Sequence, residues 1–239
     1  MVLLGKETSP QALARLGGFL YLIIIIAGLY CEFFARGSLI VPGNAMATAS
    51  SIRSHEWLWR TGIAVDLFTC ACTVVLAWVF YTLLRPAHRD LALLMVFFDL
   101  IAICLQIAFD LNLAATLFPL GDAAYLKVFS PEQLAVLARL AIRAHGTGWG
   151  ISLLFFGFTF PIRGYLIIRS RILPKALGIL LVIAGCGYVL HGFTALLAPA
   201  LAGRIFPFVA VPILIGEAST CLWLLFKGVN VAVRGLGAD

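Results

Sequence analysis

Charged and histidine side chains recur at helical spacing inside the long apolar stretches of this sequence. Glu32 and Arg36 are four residues apart, which is the spacing of an ion pair on one helix face. His55 and Asp66 are separated by a whole number of helical turns and therefore share a face of a second helix. Carboxylates and imidazoles in such places relay protons, bind ions or, less often, hold a metal.

An ionisable side chain inside a bilayer costs at least about 2.5 to 3.5 kcal/mol on insertion scales. We therefore expect each of these groups to face the interior of a helix bundle and to have a partner there. Most of them fall in the half of the bundle that we predict to be outer, with Asp99 and Glu217 deeper. The candidate ligand-binding residues are Glu32, Arg36, His55, Asp66, Asp110, Arg143, His145 and Glu217.

Three functional interpretations remain open at this stage, and with them whether the protein is an enzyme. The first is binding or transport of a small molecule or ion. The second is an intramembrane metal-dependent hydrolase with His55, His145 and His191 as metal ligands, although the sequence after His55-Glu56 lacks the second histidine of an HExxH motif. The third is a structural or partner-binding subunit whose charges are interhelical pairs.

The composition is that of a membrane protein. Of 239 residues, 62% are hydrophobic and only 12% are charged, and the mean hydropathy is +1.05, whereas a soluble domain carries about 25% charged residues. The net charge of +6 is scattered between apolar runs, so we expect no nucleic-acid partner. We expect no cofactor, the lipid bilayer as surroundings, and a small molecule, lipid or ion as ligand. The oligomeric state stays open.

Six segments reach the roughly 20 mostly apolar residues that a spanning helix needs. Backbone that is not helical cannot face lipid, and the alternating segments of a β-barrel are absent. The fold class is therefore all-α: a polytopic integral membrane protein, a bundle of six transmembrane helices in a single domain over residues 1–239. The expected spans are about 13–35, 61–84, 91–117, 142–168, 175–197 and 205–228.

The links between these segments carry helix start signals. Pro42-Gly43 predicts a turn, after which Asn44 can cap a helix that re-enters the bundle. Ser130-Pro131 predicts an N-cap and a first helical residue, and the helix is expected to run inward to near Pro161. Trp59, with the neighbouring Trp57, is expected in an aromatic belt at the outer interface.

The distribution of Lys and Arg predicts the orientation. Placing both termini on one side collects 10 of the 17 basic residues there. We therefore expect both termini in the cytoplasm and the protein in the cell membrane. The ten residues are Lys6, Arg15, Arg85, Arg89, Arg163, Arg169, Arg171, Lys175, Lys227 and Arg234.

Several motifs along residues 14–230 resemble those of a bacterial multi-pass membrane family known as domain of unknown function 4386. They are RGSLIVPGNA (36–45), HE (55–56), GIAVDL (62–67), FSPEQL (129–134), His145, GYLIIRSRILPKALGILLVIAG (164–185), IGE (215–217) and LWLLFKGVN (222–230). The resemblance implies the multi-pass architecture and no mechanism. Where that family is expected to carry VPGD, this chain has Asn44, which still caps a helix and is not expected to be catalytic.

Overall fold

The apolar stretches form helices throughout residues 9–230, the part of the chain that the computed structural model describes. Those residues hold seven α-helices and no strand. The helices are α1 (Pro10–Leu29), α2 (Ala45–Ser54), α3 (Glu56–Leu84), α4 (Arg89–Ala115), α5 (Pro131–Ser170), α6 (Lys175–Leu197) and α7 (Pro199–Phe226). A π-helical segment, Tyr30–Arg36, continues α1, and a 3₁₀ turn, Ala124–Val128, lies between α4 and α5.

Six of the helices in the described range are long and apolar enough to cross a membrane. They are α3 to α7 and the continuous helix formed by α1 and its π-helical end. The predicted all-α, polytopic bundle of six spans is confirmed. The ten-residue α2 is too short to span and packs against α5 and α3 at the end of the bundle that holds the α6–α7 turn.

The predicted turn and cap before α2 are present. Gly43 has φ +74°, a conformation that glycine adopts without strain. The side chain of Asn44 accepts a hydrogen bond from the Ala47 N–H at 2.9 Å, which satisfies one of the free amides of the first turn. Before α5, the Ser130 and Gln133 side chains bond to each other's backbone N–H groups in a capping box.

Replacing Asn44 with alanine is expected to weaken α2 by about 1 kcal/mol, because the Ala47 N–H loses its acceptor. Hydrogen exchange of the α2 amides measures this as about a fivefold loss of protection. Asn44→Asp keeps an acceptor at the cap and is expected to keep the protection. Equal losses in both variants would show that the cap contributes nothing.

The expectation that α5 ends near Pro161 is wrong, because the helix continues to Ser170. A proline ring normally needs extra room beside a helix and removes one backbone donor. Here α6 supplies that room with Gly185, whose missing Cβ would overlap the Pro161 ring. The Gly157 carbonyl, four residues before Pro161, faces the same glycine. Helix α5 ends instead at Arg171, where φ is +56°.

Helices α5 and α6 form the most extensive helix pair of the bundle. Glycines recur every seven residues on both: Gly150, Gly157 and Gly164 in α5, and Gly178, Gly185 and Gly192 in α6. We call these six positions the glycine seam. At the end of the seam nearest the α5–α6 turn, a Cβ on Gly164 would overlap the Gly178 carbonyl oxygen, and a Cβ on Gly178 would meet the Gly164 carbonyl oxygen at 2.6 Å. Backbone therefore packs on backbone, as small residues allow in membranes.

Helix α2 covers one end of the bundle and packs there on a small apolar core. Ile52 of α2 is fully buried there beside Trp59 and Leu113. The Trp59 indole N–H donates to the Leu113 carbonyl at 2.9 Å, and Trp59 is only 2% exposed. Trp59 therefore packs inside the protein and not on its lipid-facing surface, whereas Trp57 is 78% exposed. An indole needs a partner when buried, and α4 offers a carbonyl at its last turns.

Candidate functional site

Five ionisable residues lie close together near the end of the bundle that α2 covers. We call them the first cluster: Glu32, Arg36, Asp66, Asp110 and His145. Arg36 lies at the centre of one pair of contacts: its Nε is 3.4 Å from the Glu32 carboxylate and its Nη1 donates to Asp66. His145 Nδ1 is 3.3 Å from Asp110 Oδ1. Asp66 and Asp110 lie within electrostatic range of each other, which joins the two pairs.

Local backbone features bring α1 and α3 close enough for the Arg36 contact. In the π-helical end of α1, the Gly37 N–H bonds to the Glu32 carbonyl five residues back, at 2.8 Å. The Cys31 thiol donates to the Gly62 carbonyl at 3.4 Å, and a Cβ on Gly62 would lie 2.8 Å from the Ala35 Cβ. A glycine at 62 therefore lets the two helices touch, and the contact aligns Arg36 with Asp66.

The first cluster leads from the surface to the interior. The exposed fraction of the side chain falls from 65% at Glu32 to 15% at Arg36, 9% at Asp66 and 2% at Asp110. Each residue of this series lies on the same helix as the residue before it or on an adjacent helix. The arrangement is a graded series of charged groups that begins at an exposed carboxylate and ends at a buried one.

Asp110 is the least satisfied of these groups. Both of its carboxylate oxygens are buried and accept no hydrogen bond, and His145 Nδ1 likewise makes none. A buried carboxylate without donors is costly, by several kcal/mol, unless it is paired, protonated or bound to a cation. The His145 imidazole is the basic group nearest to Asp110, at 3.3 Å, and is positioned to share a proton with it.

The other three candidate residues lie elsewhere. His55 is exposed at the junction of α2 and α3, and its Nδ1 lies 3.2 Å from the Ser51 carbonyl. Arg143 lines a separate cavity of about 260 Å³ with Thr147 and residues of α6 and α7. Glu217 joins a different group of polar residues. The structure thus brings together five of the eight candidate residues.

The three histidines proposed as metal ligands have separate surroundings. His191 packs against Phe206, with the two rings tilted by 51° and their centroids 4.9 Å apart. Among residues 9–230, no three His, Cys, Asp or Glu side chains gather as a metal ion would require. The donor set that the hydrolase interpretation needs is therefore not assembled in the described part of the chain.

A second buried group lies toward the opposite end of the bundle, and we call it the second cluster: Tyr21, Asp99, Thr159, Arg163, Tyr188 and Glu217. Arg163 Nη2 is 3.0 and 3.3 Å from the two oxygens of Asp99. The guanidinium carbon lies 4.2 Å from the centre of the Phe80 ring and 5.1 Å from that of Phe160. The ion pair is thus enclosed by aromatic faces, which attract the cation.

Arg163, one of the ten basic residues counted on the side of the termini, does not lie in a loop. The residue lies within α5 and is only 4% exposed. A signal was present in the sequence: Arg163 stands alone between apolar runs on both sides, in FTFPIRGYLII (158–168). An arginine in that setting needs a buried carboxylate, and Asp99 is in a comparable position.

An apolar groove of about 700 Å³ lies beside the second cluster without including it. Residues of α4 to α7 line it, among them Phe98, Phe158, Pro161 and Phe193. No charged side chain of the described residues lines the groove.

Comparison with known proteins places the chain in a family. Residues 16–228 match the family described as domain of unknown function DUF4386. No curated protein matches the chain, and no solved structure does. The match covers all six candidate spans almost completely and both buried clusters. The protein belongs to the DUF4386 family.

Proposed function

We propose that the protein binds a small cation, a proton in the simplest case, at Asp110 and His145 and moves it through the membrane. The observation that carries this proposal is the state of Asp110, whose two oxygens are buried and accept no hydrogen bond. A carboxylate in that state attracts any small positive charge that can reach it.

The charges of the first cluster support a cation as the ligand of Asp110 and His145. Its buried part contains two carboxylates, Asp66 and Asp110, and one permanent cation, Arg36. Arg36 is already bonded to Asp66. Asp110 is therefore balanced when the Asp110–His145 pair holds a proton or when another cation enters. The site can therefore alternate between a state that holds this positive charge and a state that does not.

The graded exposure of the cluster supports access from one side of the membrane. Glu32, at the start of the series, is largely exposed, whereas Asp110 is almost completely buried. A cation attracted to Glu32 passes Arg36, whose charge is offset by its bonds to Glu32 and Asp66, before it reaches Asp110. The series holds three carboxylates and one guanidinium, and an excess of negative charge raises the local concentration of cations.

In this proposal the protein lies in the cytoplasmic membrane of a bacterium, with both termini in the cytoplasm and the first cluster toward the outside. Arg163 and Arg36 belong to buried clusters and leave the count of loop cations. Nine basic residues then remain on the side of the termini and six on the other. Two of the nine, Lys6 and Arg234, lie outside the described residues.

Asp110→Asn is expected to reduce cation binding and flux by about tenfold to a hundredfold, because a hydrogen bond or ion contact to a charged group is worth about 1.5 to 3 kcal/mol. The protein is reconstituted in vesicles carrying an internal pH dye. Proton flux is followed after a pH or potential step, with and without sodium.

Asp90→Asn is the matched control, since Asp90 is on the same helix but exposed in its first turn. It is expected to behave as the wild type. Equal flux in the wild type and Asp110→Asn, or flux in neither above empty vesicles, would contradict the proposal. The first cluster would then be an interhelical support of the bundle.

A further inference from the structure

The second cluster contains more acidic groups than basic groups. Five helices contribute polar groups to it: Tyr21 from α1, Asp99 from α4, Thr159 and Arg163 from α5, Tyr188 from α6 and Glu217 from α7. The sixth spanning helix, α3, contributes the Phe80 ring. Cys221 is the remaining titratable neighbour, one turn from Glu217. The cluster therefore holds two carboxyl groups and one cation.

Asp99 is the carboxyl group that the cation neutralises. It is fully buried, and Arg163 contacts both of its oxygens. Arginine stays protonated in proteins, and the two contacts from Arg163 favour the carboxylate form of Asp99. The pair is neutral as a unit and leaves no full charge to balance another carboxylate.

Glu217 has a different kind of partner. Its Oε1 accepts a hydrogen bond from the Tyr188 hydroxyl, which carries no charge. Arg163 is close enough to interact electrostatically but donates to Asp99 and not to Glu217. An ionised Glu217 would leave the cluster with one uncompensated negative charge in the apolar interior, which is costly.

We propose that Glu217 carries an exchangeable proton and that the second cluster is a proton-binding site separate from the first. Binding breaks one O–H bond of a hydronium ion and forms one O–H bond on the Glu217 carboxyl group, which takes the net charge of the cluster from −1 to zero. Release returns the proton to water and restores the carboxylate. No other bond changes.

The Tyr21 hydroxyl can form a hydrogen bond with Glu217 in both the ionised and the protonated state. The Tyr21 hydroxyl is buried, makes no hydrogen bond, and lies beside the Glu217 carboxyl group. A hydroxyl both donates and accepts. It can donate to the carboxylate when Glu217 is ionised, and its oxygen can accept from the carboxyl O–H when Glu217 is protonated. Glu217 itself is partly exposed at the surface of the bundle.

The two clusters are separate places along the bundle. Asp99 and Asp110 lie eleven residues apart on one face of α4, about 16 Å along its axis. Between them the Ser152 hydroxyl donates to the Ala102 carbonyl at 2.8 Å, which joins α5 to α4. The inference about Glu217 concerns a proton bound by the second cluster and does not rest on the function proposed for the first.

Infrared difference spectroscopy of the full-length protein in vesicles, with the pH stepped downward, tests the assignment. The C=O stretch of a buried protonated carboxyl group is expected to rise in the wild type and to be lost in Glu217→Gln. That variant keeps the volume of a protonated glutamic acid and the bond to Tyr188, and circular dichroism confirms its folding. Persistence of the full band in Glu217→Gln would overturn the proposal.

Two further variants locate the proton independently of the first cluster. Asp110→Asn is expected to keep the Glu217 band, and loss of the band there would overturn the assignment. Tyr188→Phe removes the donor to the carboxylate and is expected to raise the midpoint of the band's titration by about one pH unit, the equivalent of about 1.4 kcal/mol. An unchanged midpoint in Tyr188→Phe would equally contradict the proposed role of this hydrogen bond.

Discussion

Replacing Asp99 with asparagine is expected to destabilise the protein by about 3 to 5 kcal/mol, the usual cost of breaking a buried ion pair by removing one partner. Arg163 is 4% exposed and lies against Phe80 and Phe160. Without the Asp99 carboxylate its charge stays in the bundle interior with no ionised partner bonded to it. The free energy of unfolding in mixed detergent micelles, followed by circular dichroism, measures the loss.

Two control variants separate the missing charge partner from other effects of the substitution. The double variant Asp99→Leu with Arg163→Met removes both charges and is expected to recover most of the lost stability, because apolar residues of similar size replace buried pairs at little cost. Asp90→Asn, on the exposed first turn of the same helix, should stay within about 0.5 kcal/mol of the wild type. A double variant as unstable as Asp99→Asn would show that the stability is lost for a reason other than the unpaired arginine.

Leucine at position 164 is expected to disrupt the pairing of α5 and α6. A Cβ there would overlap the Gly178 carbonyl oxygen and approach the Val182 backbone at 3.2 Å. Backbone atoms cannot rotate away as a side chain can, so the two helices must separate along the glycine seam. Overpacking of a tight interior costs about 1 to 3 kcal/mol and occasionally more, and we expect the upper end here. Thermal unfolding in detergent measures the loss.

Gly146 offers a matched control on the same helix. A Cβ at that position meets nothing within 4 Å. Gly146→Leu is therefore expected to change the stability by less than about 1 kcal/mol, with a gain from helix propensity in its favour. If the two leucine variants unfold at the same temperature, the close contact of Gly164 with α6 does not contribute to stability.

The architecture was accessible from the sequence because each of its signals is local. A spanning helix declares itself as a long apolar run, and its ends as turn and cap residues. Asn44 and Ser130 cap helices as predicted. The pairing of Glu32 with Arg36 also lies within one helix, and it is present.

The grouping of polar residues between helices was only partly accessible. Helical periodicity says which side chains share a face, but not which helix that face meets. Helix α7 packs between α1 and α6, so Glu217 meets Tyr188 and not the first cluster. Pro161 shows the same limit: whether α5 could continue through it depended on Gly185 of a different helix.

The π-helical end of α1 gives the Arg36–Asp66 contact a way to be released. A helix that changes from i+5 to i+4 hydrogen bonding turns its following residues by about one residue's angular step, roughly 100°. Such a change within Tyr30–Arg36 would rotate the Arg36 guanidinium away from Asp66 and break the bond between them. The opposite end of α1 would stay in place, because Gly18 packs directly on the Leu225 backbone.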